Sequence, residues 1–259
     1  MNIKDLSTQL LYTTVPILVK REGNELSTGT GFIFSVLEED NSSIPMLITN
    51  YHVLQDAELG YFELHLAENG TPTNNTIRVS FDKNIINNNK LGDLDLIAIP
   101  LATTFNNLTS SNISLFYRTI DQNMIPTQEQ VKDFSSIEDV CFVGYPSGLY
   151  DEINKLPVIR QGITATPIWN NFKGHPIFLI DGGVFPGSSG SPVFIYNRCS
   201  YPTKNSIVIG TRLHFIGVIS ETLLRNEDKS KAYLNLGCVI NSNDMYAELT
   251  KLISKLKNK

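Results

Sequence analysis

The sequence has few cysteines and no arrangement of them that would build a scaffold. Its 259 residues include three, at positions 141, 199 and 238, an odd and widely spaced set. Such a set argues against a disulfide framework, and without a Cys-x-x-Cys pair or a nearby histidine it argues against structural zinc. We expect reduced thiols, no metal, no cofactor and a cytoplasmic location.

The sequence also lacks a run of about 20 apolar residues, the length that an apolar helix needs to cross a membrane. Its first residues mix acidic and polar side chains with apolar ones, so we expect no secretory signal. The formal net charge is −5, whereas a nucleic-acid-binding surface requires a basic face. We therefore expect neither a membrane nor nucleic acid as a partner.

Short β-type runs make up most of the sequence, each bounded by Gly, Pro, Asn, Asp or Ser. A first series extends from "VPILVK" to "DLIAIPL", and a second extends from "DVCFVGYP" to "LGCVIN". This spacing is typical of an all-β barrel or sandwich and not of alternating strands and helices. Residues 100–139 lie between the two series and are polar, so we interpret them as a crossing between two lobes, residues 1–115 and 116–259.

Helical periodicity is found near the C-terminal end of the chain. Apolar residues recur at three- and four-residue spacings from Met245 to Leu256, after Asn and Asp residues that are suited to cap a helix. The pattern predicts a C-terminal helix over residues 243–257.

The segment "FPGSSGSPVF" at residues 185–194 is the first candidate for chemistry. Glycine, serine and proline favour tight turns, so one interpretation is an ordinary hairpin turn before a buried strand. The other is a nucleophilic serine held on a turn beside backbone N–H groups that can stabilise an oxyanion.

A nucleophilic serine needs a base and usually an acid that orients it. His52 follows the apolar run "PMLITN" and is expected at a strand end. The other histidines are better explained as strand or turn residues, although His214 in "TRLHFIGVIS" could also form a pocket wall. For the acid, "LGDLDLIAIPL" offers Asp93 and Asp95, and we favour Asp95 because it abuts the apolar run that can shield it from water.

Chain order separates the folds that could hold such a set. An α/β-hydrolase needs Ser, then acid, then His, but no Asp or Glu lies between Ser189 and His214. An order of Asp, His, Ser would need an acid before His52 together with a helix-rich pattern, and this sequence lacks that pattern. The order His52, Asp95, Ser189 on two sets of strands remains.

These motifs resemble those of the trypsin/chymotrypsin-like serine peptidases, and more closely the bacterial trypsin-like peptidase domains that include the catalytic domains of the high-temperature-requirement proteases. The resemblance covers residue 27 to about residue 222. It rests on "GTGFIF", "LITNYHVL", "DLIAIP", "FVGYPSGL", "GSSGSP" and "FIGVISE", in this order.

The resemblance implies two six-stranded antiparallel β-barrels with the active site between them. It implies that His52 is the general base and then acid, that Asp95 orients it, and that Ser189 is the nucleophile. Gly187 and Ser189 would supply the oxyanion-hole N–H groups. Ser188 stands where secreted members have an Asp that pairs with a new N-terminus, so we expect no activation by cleavage of a propeptide at that site.

For specificity, the resemblance offers two alignments of the pocket. Gly183 stands where trypsin-like members hold the acid that selects Arg or Lys, so a trypsin-type preference is not supported. The favoured alignment, on "GVIS", places Ile219, Ser220, Glu221 and Thr222 on the wall opposite Gly183 and Val184. The alternative alignment, on "LHFIG", places His214 on the pocket wall.

The function that we expect is a serine endopeptidase that hydrolyses proteins or peptides through an acyl-enzyme. Two alternatives remain open. One is a binding module with this fold that has lost turnover, and the other is a latent enzyme that an activating partner protein switches on.

Overall fold

A computed structural model describes residues 3–21, 26–227 and 230–258. The strands are β1 (Thr14–Arg21), β2 (Leu26–Leu37), β3 (Ser43–Thr49), β4 (Ala57–Glu68), β5 (Thr71–Asp82), β6 (Ile97–Pro100), β7 (Leu115–Phe116), β8 (Ile120–Asp121), β9 (Asp139–Gly144), β10 (Val158–Thr164), β11 (Ile177–Asp181), β12 (Pro192–Asn197), β13 (Ser200–Pro202), β14 (Ile207–Ile209), β15 (Arg212–Glu227) and β16 (Ser230–Asn241). The helices are α1 (Leu6–Leu10), α2 (Tyr51–Leu54), α3 (Lys83–Asn88), α4 (Ala102–Ser110), α5 (Gln128–Val131) and α6 (Ser242–Lys257).

The N-terminal lobe is a sheet with the strand order β5-β4-β1-β2-β3-β6, to which β7 adds beside β4 and β8 beside β2. Its apolar side chains, among them Ile17, Leu47 and Phe62, form one buried cluster. Within the described residues β5 and β6 remain the edges of an open sheet. The strand β6 has only four residues and ends in Pro100, which has no N–H to extend a ladder.

The C-terminal lobe is a closed barrel with the strand order β10-β11-β16-β15-β12-β9. Alternate residues point inward and fill it, including Phe142, Phe178, Val193 and Val239. Closure gives each barrel strand a neighbour on both sides, so within the described residues the barrel has no edge strand. The prediction of an all-β fold with a C-terminal helix is confirmed.

The predicted crossing at residues 100–139 is more structured than its polar composition indicated. It contains α4 and α5, and its short strands β7 and β8 complete the N-terminal sheet. The N-terminal sheet therefore includes β8, which ends at Asp121. A two-residue strand carries too little periodicity to be found in a sequence.

The helix α6 joins the two lobes from outside. Asn241 caps it by accepting a hydrogen bond from the Asn243 N–H. Its buried side chains Met245, Leu249 and Ile253 belong to the same apolar cluster as residues from both sheets. In that cluster the rings of Phe32 and Phe215, one from each lobe, lie 5.5 Å apart. Burial of this stripe stabilises the docking of the lobes.

A buried ion pair lies at one end of the C-terminal barrel. Arg212 Nη2 donates to Glu138 Oε2 at 2.5 Å, and both side chains are almost inaccessible to solvent. Glu138 Oε1 also accepts from the Ser135 N–H, and Arg212 Nε donates to Asn197 Oδ1. Both charges are therefore compensated by several hydrogen bonds.

We expect Glu138→Gln to lower the free energy of unfolding by about 3–5 kcal/mol, because it leaves the Arg212 charge buried without a counter-ion. Urea denaturation measures the loss. The matched control is Glu129→Gln, which removes the carboxylate of an exposed pair with Lys132 and should cost about 0–1 kcal/mol. Equal losses in the two variants would contradict the interpretation.

Candidate active site

Asp95 holds the histidine segment through both its side chain and its carbonyl group. Its Oδ2 lies 2.6 Å from His52 Nδ1, and its Oδ1 accepts from the His52 backbone N–H at 2.9 Å. The Asp95 carbonyl accepts from Asn50 Nδ2 at 2.8 Å and from the Tyr51 N–H at 3.2 Å. Antiparallel pairing of β3 with β6 brings these two segments together.

These contacts determine which nitrogen of His52 is available. Burial opposes ionisation of the Asp95 carboxyl, but hydrogen bonds from His52 and Ser220 outweigh it and hold its pKa below the usual value. An ionised carboxylate only accepts, so Nδ1 of the neutral ring carries the proton and Nε2 keeps its lone pair. The His52 side chain is 45% exposed, which leaves Nε2 able to accept a proton.

The glycine–serine turn is formed by glycines that no other residue could replace. Gly187 and Gly190 have φ angles of 87° and 89°, values that favour glycine. A Cβ on Gly190 would overlap the carbonyl oxygen of Thr30, and one on Gly187 would lie 2.6 Å from that of Tyr145. The turn therefore packs directly against the backbone of both lobes.

Two amide groups of this turn have no hydrogen-bond partner within the described residues. The N–H groups of Ser188, Gly190 and Ser191 donate to carbonyl oxygens of the protein, whereas within the described residues those of Gly187 and Ser189 have no acceptor. The Pro186 carbonyl accepts from the Ser147 N–H at 2.6 Å. In a trans peptide the N–H points opposite to the C=O, so this bond fixes the direction of the Gly187 N–H.

Ser220 connects the turn to Asp95. Ser189 Oγ donates to the Ser220 carbonyl at 2.9 Å, and Ser220 Oγ donates to Asp95 Oδ2 at 3.0 Å. In the pairing of β15 with β16, Ser220 has no partner and is an extra residue between Ile219 and Glu221. Such a β-bulge re-aims a side chain. We expected Ser220 only as a pocket residue, and the sequence carries no signal for its bond to Asp95.

Thr30 on β2 connects the N-terminal lobe to the same turn and was not found by sequence reasoning. Its N–H donates to the Ser189 carbonyl at 2.9 Å, and its Oγ1 donates to the Gly187 carbonyl at 2.9 Å. The same Oγ1 accepts from the Tyr145 N–H at 3.0 Å. Both hydrogen bonds of Oγ1 are buried, so the Gly187 carbonyl and the Tyr145 N–H depend on Thr30 for their partner.

Arg21 supports the histidine from the other side. It donates to the carbonyl oxygens of His52 and Val53, at 3.5 and 3.2 Å, and to that of Gln55 at 3.4 Å. The helix α2 has only four residues, and the guanidinium satisfies carbonyls at its C-terminal end.

Of the pocket residues of the favoured alignment, Ser220 contacts Ser189 directly, and Val184 and Thr222 both lie beside Gly237. Thr222 pairs with Gly237 on β16, and a Cβ on Gly237 would touch the Val184 side chain. Gly183 and Val184 thus face the Ser220–Thr222 segment across β16. The Glu221 side chain lies against Cys238, on the other face of the β15–β16 pair. Burial, the larger cause, and this carboxylate together raise the pKa of the Cys238 thiol.

His214, the pocket residue of the alternative alignment, lies elsewhere on β15. It precedes Ser220 by six residues, about 20 Å along an extended strand at about 3.3 Å per residue. Its ring lies 5.6 Å from that of Phe134, at the barrel end that holds Arg212. Burial, the largest cause, lowers the pKa of His214, with a further contribution from the Arg212 charge.

Asp93 does not take part in the site. It is exposed, and the carboxylate that contacts the His52 ring is that of Asp95. In the part of the chain that the structure describes, no group of His, Cys, Asp or Glu is arranged to hold a metal ion. Among the same residues, no helix is both long and apolar enough to span a bilayer.

A two-lobed β-fold with this carboxylate, imidazole and glycine–serine turn between its lobes is chymotrypsin-like. The chain belongs to the trypsin-like peptidase domain family, whose model matches residues 29–198. The matched range contains His52, Asp95 and Ser189 and ends before Ser220. No curated protein matches the sequence.

One solved structure supports this fold, and a second is also similar. An HtrA-type protease, a serine-to-alanine variant of AlgW with a tripeptide, is similar over 98% of this chain and 64% of its own, with a TM-score of 0.52 and 15% identity. The Rv3671c protease from M. tuberculosis, in its active form, is similar over 94% of this chain and 82% of its own, with a TM-score of 0.47 and 13% identity. This chain thus spans less than two thirds of the length of the AlgW protease.

We expect Thr30→Val to lower the free energy of unfolding by about 1–3 kcal/mol, because it leaves the Gly187 carbonyl and the Tyr145 N–H buried without partners. Urea denaturation measures this loss. Thr28→Val is the matched control, since Thr28 is exposed on the same strand. A loss no larger than that of the control would show that Thr30 does not stabilise the turn.

We expect the stability difference between the wild type and Asp95→Asn to depend on pH. Because folding lowers the pKa of Asp95, its ionised form stabilises the protein above the unfolded-state pKa of about 3.9. This contribution is lost as the pH falls through the lower folded-state value. Urea denaturation of both proteins at pH values from about 7 to about 3 should show a difference that shrinks on acidification; a constant difference would contradict this.

Proposed function

We propose that this protein is a serine endopeptidase that works through an acyl-enzyme, with Ser189 as nucleophile, His52 as base and Asp95 as the carboxylate that orients it. The observation that carries the proposal is the continuous hydrogen-bonded chain from His52 through Asp95 and Ser220 to Ser189. It ends beside the two unpaired amides of the turn. Membership of the peptidase family supports a protein or peptide as substrate.

In the first step, Ser189 Oγ exchanges its bond to the Ser220 carbonyl for one to His52 Nε2. The imidazole takes the hydroxyl proton while Oγ attacks the substrate carbonyl carbon. The resulting oxyanion accepts hydrogen bonds from the Gly187 and Ser189 N–H groups, an arrangement whose loss typically costs about 10²–10³ in rate. Asp95 stabilises the imidazolium that forms.

In the second step, His52 donates its proton to the leaving amine as the C–N bond breaks, and the acyl group stays on Ser189. A water molecule then gives its proton to His52 Nε2 and attacks the ester carbonyl. The C–Oγ bond breaks, Ser189 recovers the proton from His52, and the carboxylic acid product leaves. The protein ends in its initial state.

Activity on this scheme requires no cleaved N-terminus. Ser188 is buried, its Oγ accepts from the Phe185 N–H at 3.4 Å, and its own N–H donates to the Phe185 carbonyl at 2.9 Å. These reciprocal bonds hold the turn without an acidic residue at position 188. The three free thiols support a reducing compartment such as the cytoplasm.

One observation favours a second candidate. Among the described residues no hydrogen bond joins Ser189 to His52, because Ser189 Oγ donates to the Ser220 carbonyl instead. Catalytic hydrogen bonds are often formed only when substrate binds, so the arrangement is compatible with an enzyme at rest. It also fits a protein that a partner activates, or one that binds peptides without turnover.

A fluorophosphonate probe, which reacts with activated serines, separates these functions. We expect it to label the wild type at Ser189, as located by mass spectrometry, and not to label Ser189→Ala. The matched control is Ser191→Ala, which removes a buried hydroxyl that has no hydrogen-bond partner in the described part of the chain and should retain labelling.

Peptide hydrolysis should fall by about 10⁴-fold or more in Ser189→Ala. If the wild type is neither labelled nor hydrolytic, yet binds peptides as well as Ser189→Ala does, the enzyme proposal is wrong and the binding module is favoured. Labelling that appears only after addition of a cell extract would favour activation by a partner.

A further inference from the structure

Gly183, six residues before Ser189, has no side chain. The guanidinium of Arg160, on a neighbouring strand, occupies the space that a side chain would fill. A Cβ on Gly183 would lie 3.1 Å from Cζ of Arg160, and closer still to Nη2. Arg160 is on β10, which pairs with β9 and β11 in the barrel. Because Gly182 and Gly183 are both glycines, no side chain there competes with the guanidinium for this space.

This space lies on the substrate side of the site. Gly183 begins the segment that leads through Val184 into the nucleophile turn. Val184 packs against Gly237, and Gly237 pairs with Thr222. Thr222 lies two residues after Ser220, whose carbonyl accepts the hydrogen bond from Ser189. The guanidinium is therefore next to the segment that forms one wall of the region beside the nucleophile.

Arg160 has no counter-ion within the described residues, since none of their ion pairs includes it. Its Cζ lies 5.0 Å from the centre of the Phe185 ring, a cation–π contact that holds one face of the guanidinium. The nearby acids do not neutralise it: Asp181 is exposed, and the Glu221 side chain lies against Cys238 on the opposite face.

The Arg160 guanidinium is half-buried, one of its faces packs on the Phe185 ring, and its charge has no counter-ion within the described residues. Such a group is suited to bind a carboxylate. Its planar set of N–H donors matches the two oxygens of a carboxylate in a bidentate pair, whereas it repels a lysine or arginine side chain. A neutral side chain would leave the charge without compensation.

We propose that Arg160 selects substrates with an acidic side chain, Asp or Glu, at the residue whose carbonyl Ser189 attacks. This inference rests on the proposed function and adds the substrate class. It also explains how the protein can be selective although Gly183 carries no charge: the selecting group comes from β10 and has the opposite sign to the acid of trypsin-like members.

The first measurement uses binding, which does not depend on turnover. Peptides that differ only at this residue, with Glu, Asp, Gln, Ala or Lys, are titrated against Ser189→Ala by fluorescence anisotropy. We expect Glu or Asp to bind about 10- to 100-fold more tightly than Gln, as for charge-assisted hydrogen bonds. Equal affinity for Glu and Gln peptides overturns the proposal without any substitution at Arg160.

The second measurement compares kcat/KM for fluorogenic Glu and Gln peptides in the wild type, Arg160→Gln and Arg160→Lys. We expect Arg160→Gln to abolish the preference, and Arg160→Lys to keep part of it because the charge remains and the bidentate geometry is lost. The matched control is Arg198→Gln, which removes the same charge at an exposed position and should keep the preference.

Fluorophosphonate labelling of Ser189 separates the two proposals. If the wild type is labelled and hydrolyses peptides, but the Glu-to-Gln ratio is unchanged in Arg160→Gln, the specificity proposal fails and the proposed function stands. If labelling and hydrolysis are absent while Ser189→Ala still prefers acidic peptides, the proposed function fails and Arg160 is a determinant of peptide binding. Circular dichroism of each variant shows whether it folds.

Discussion

The active-site arrangement depends on the hydrogen bonds that Thr30 makes between the two lobes. His52 and Asp95 belong to the N-terminal sheet, and Ser189 belongs to the C-terminal barrel, so their relative position is set by how the lobes dock. Apolar contacts such as that of α6 with both lobes are non-directional and do not fix this position finely. The directional bonds from Thr30 to the carbonyls of Gly187 and Ser189 do so, because a buried group that lost its partner would be destabilised.

The hydrogen bonds of Asp95 and Ser220 stabilise the fold and also arrange the groups on which the proposed chemistry depends. The contacts of Asp95 with the His52 ring and backbone keep its carboxyl ionised, and this ionisation leaves the His52 Nε2 lone pair available. Ser220 links this pair to Ser189 through its carbonyl and its hydroxyl. A β-bulge makes this double role feasible, because it turns one residue of β15 out of the regular alternation.

The surroundings of Gly183 show how a neighbouring strand can supply a side chain that a segment lacks. Glycines at 182 and 183 allow the loop before the turn to approach β10 closely, and the Arg160 guanidinium takes the vacated space against the Phe185 ring. The charge at this position is therefore a property of the packed barrel and not of the loop sequence. Burial strengthens its effect on a ligand, since the surroundings are less polar than water.

Strand spacing, the C-terminal helical stripe and the chain order of His52, Asp95 and the glycine–serine turn could all be interpreted from the sequence, because they follow from local periodicity and turn chemistry. The open N-terminal sheet and the roles of Thr30, Ser220 and Arg160 could not. They depend on strand register, on a bulge and on the docking of two lobes, which join residues far apart in the chain. Sequence determined which groups are present; non-local packing decided which of them meet.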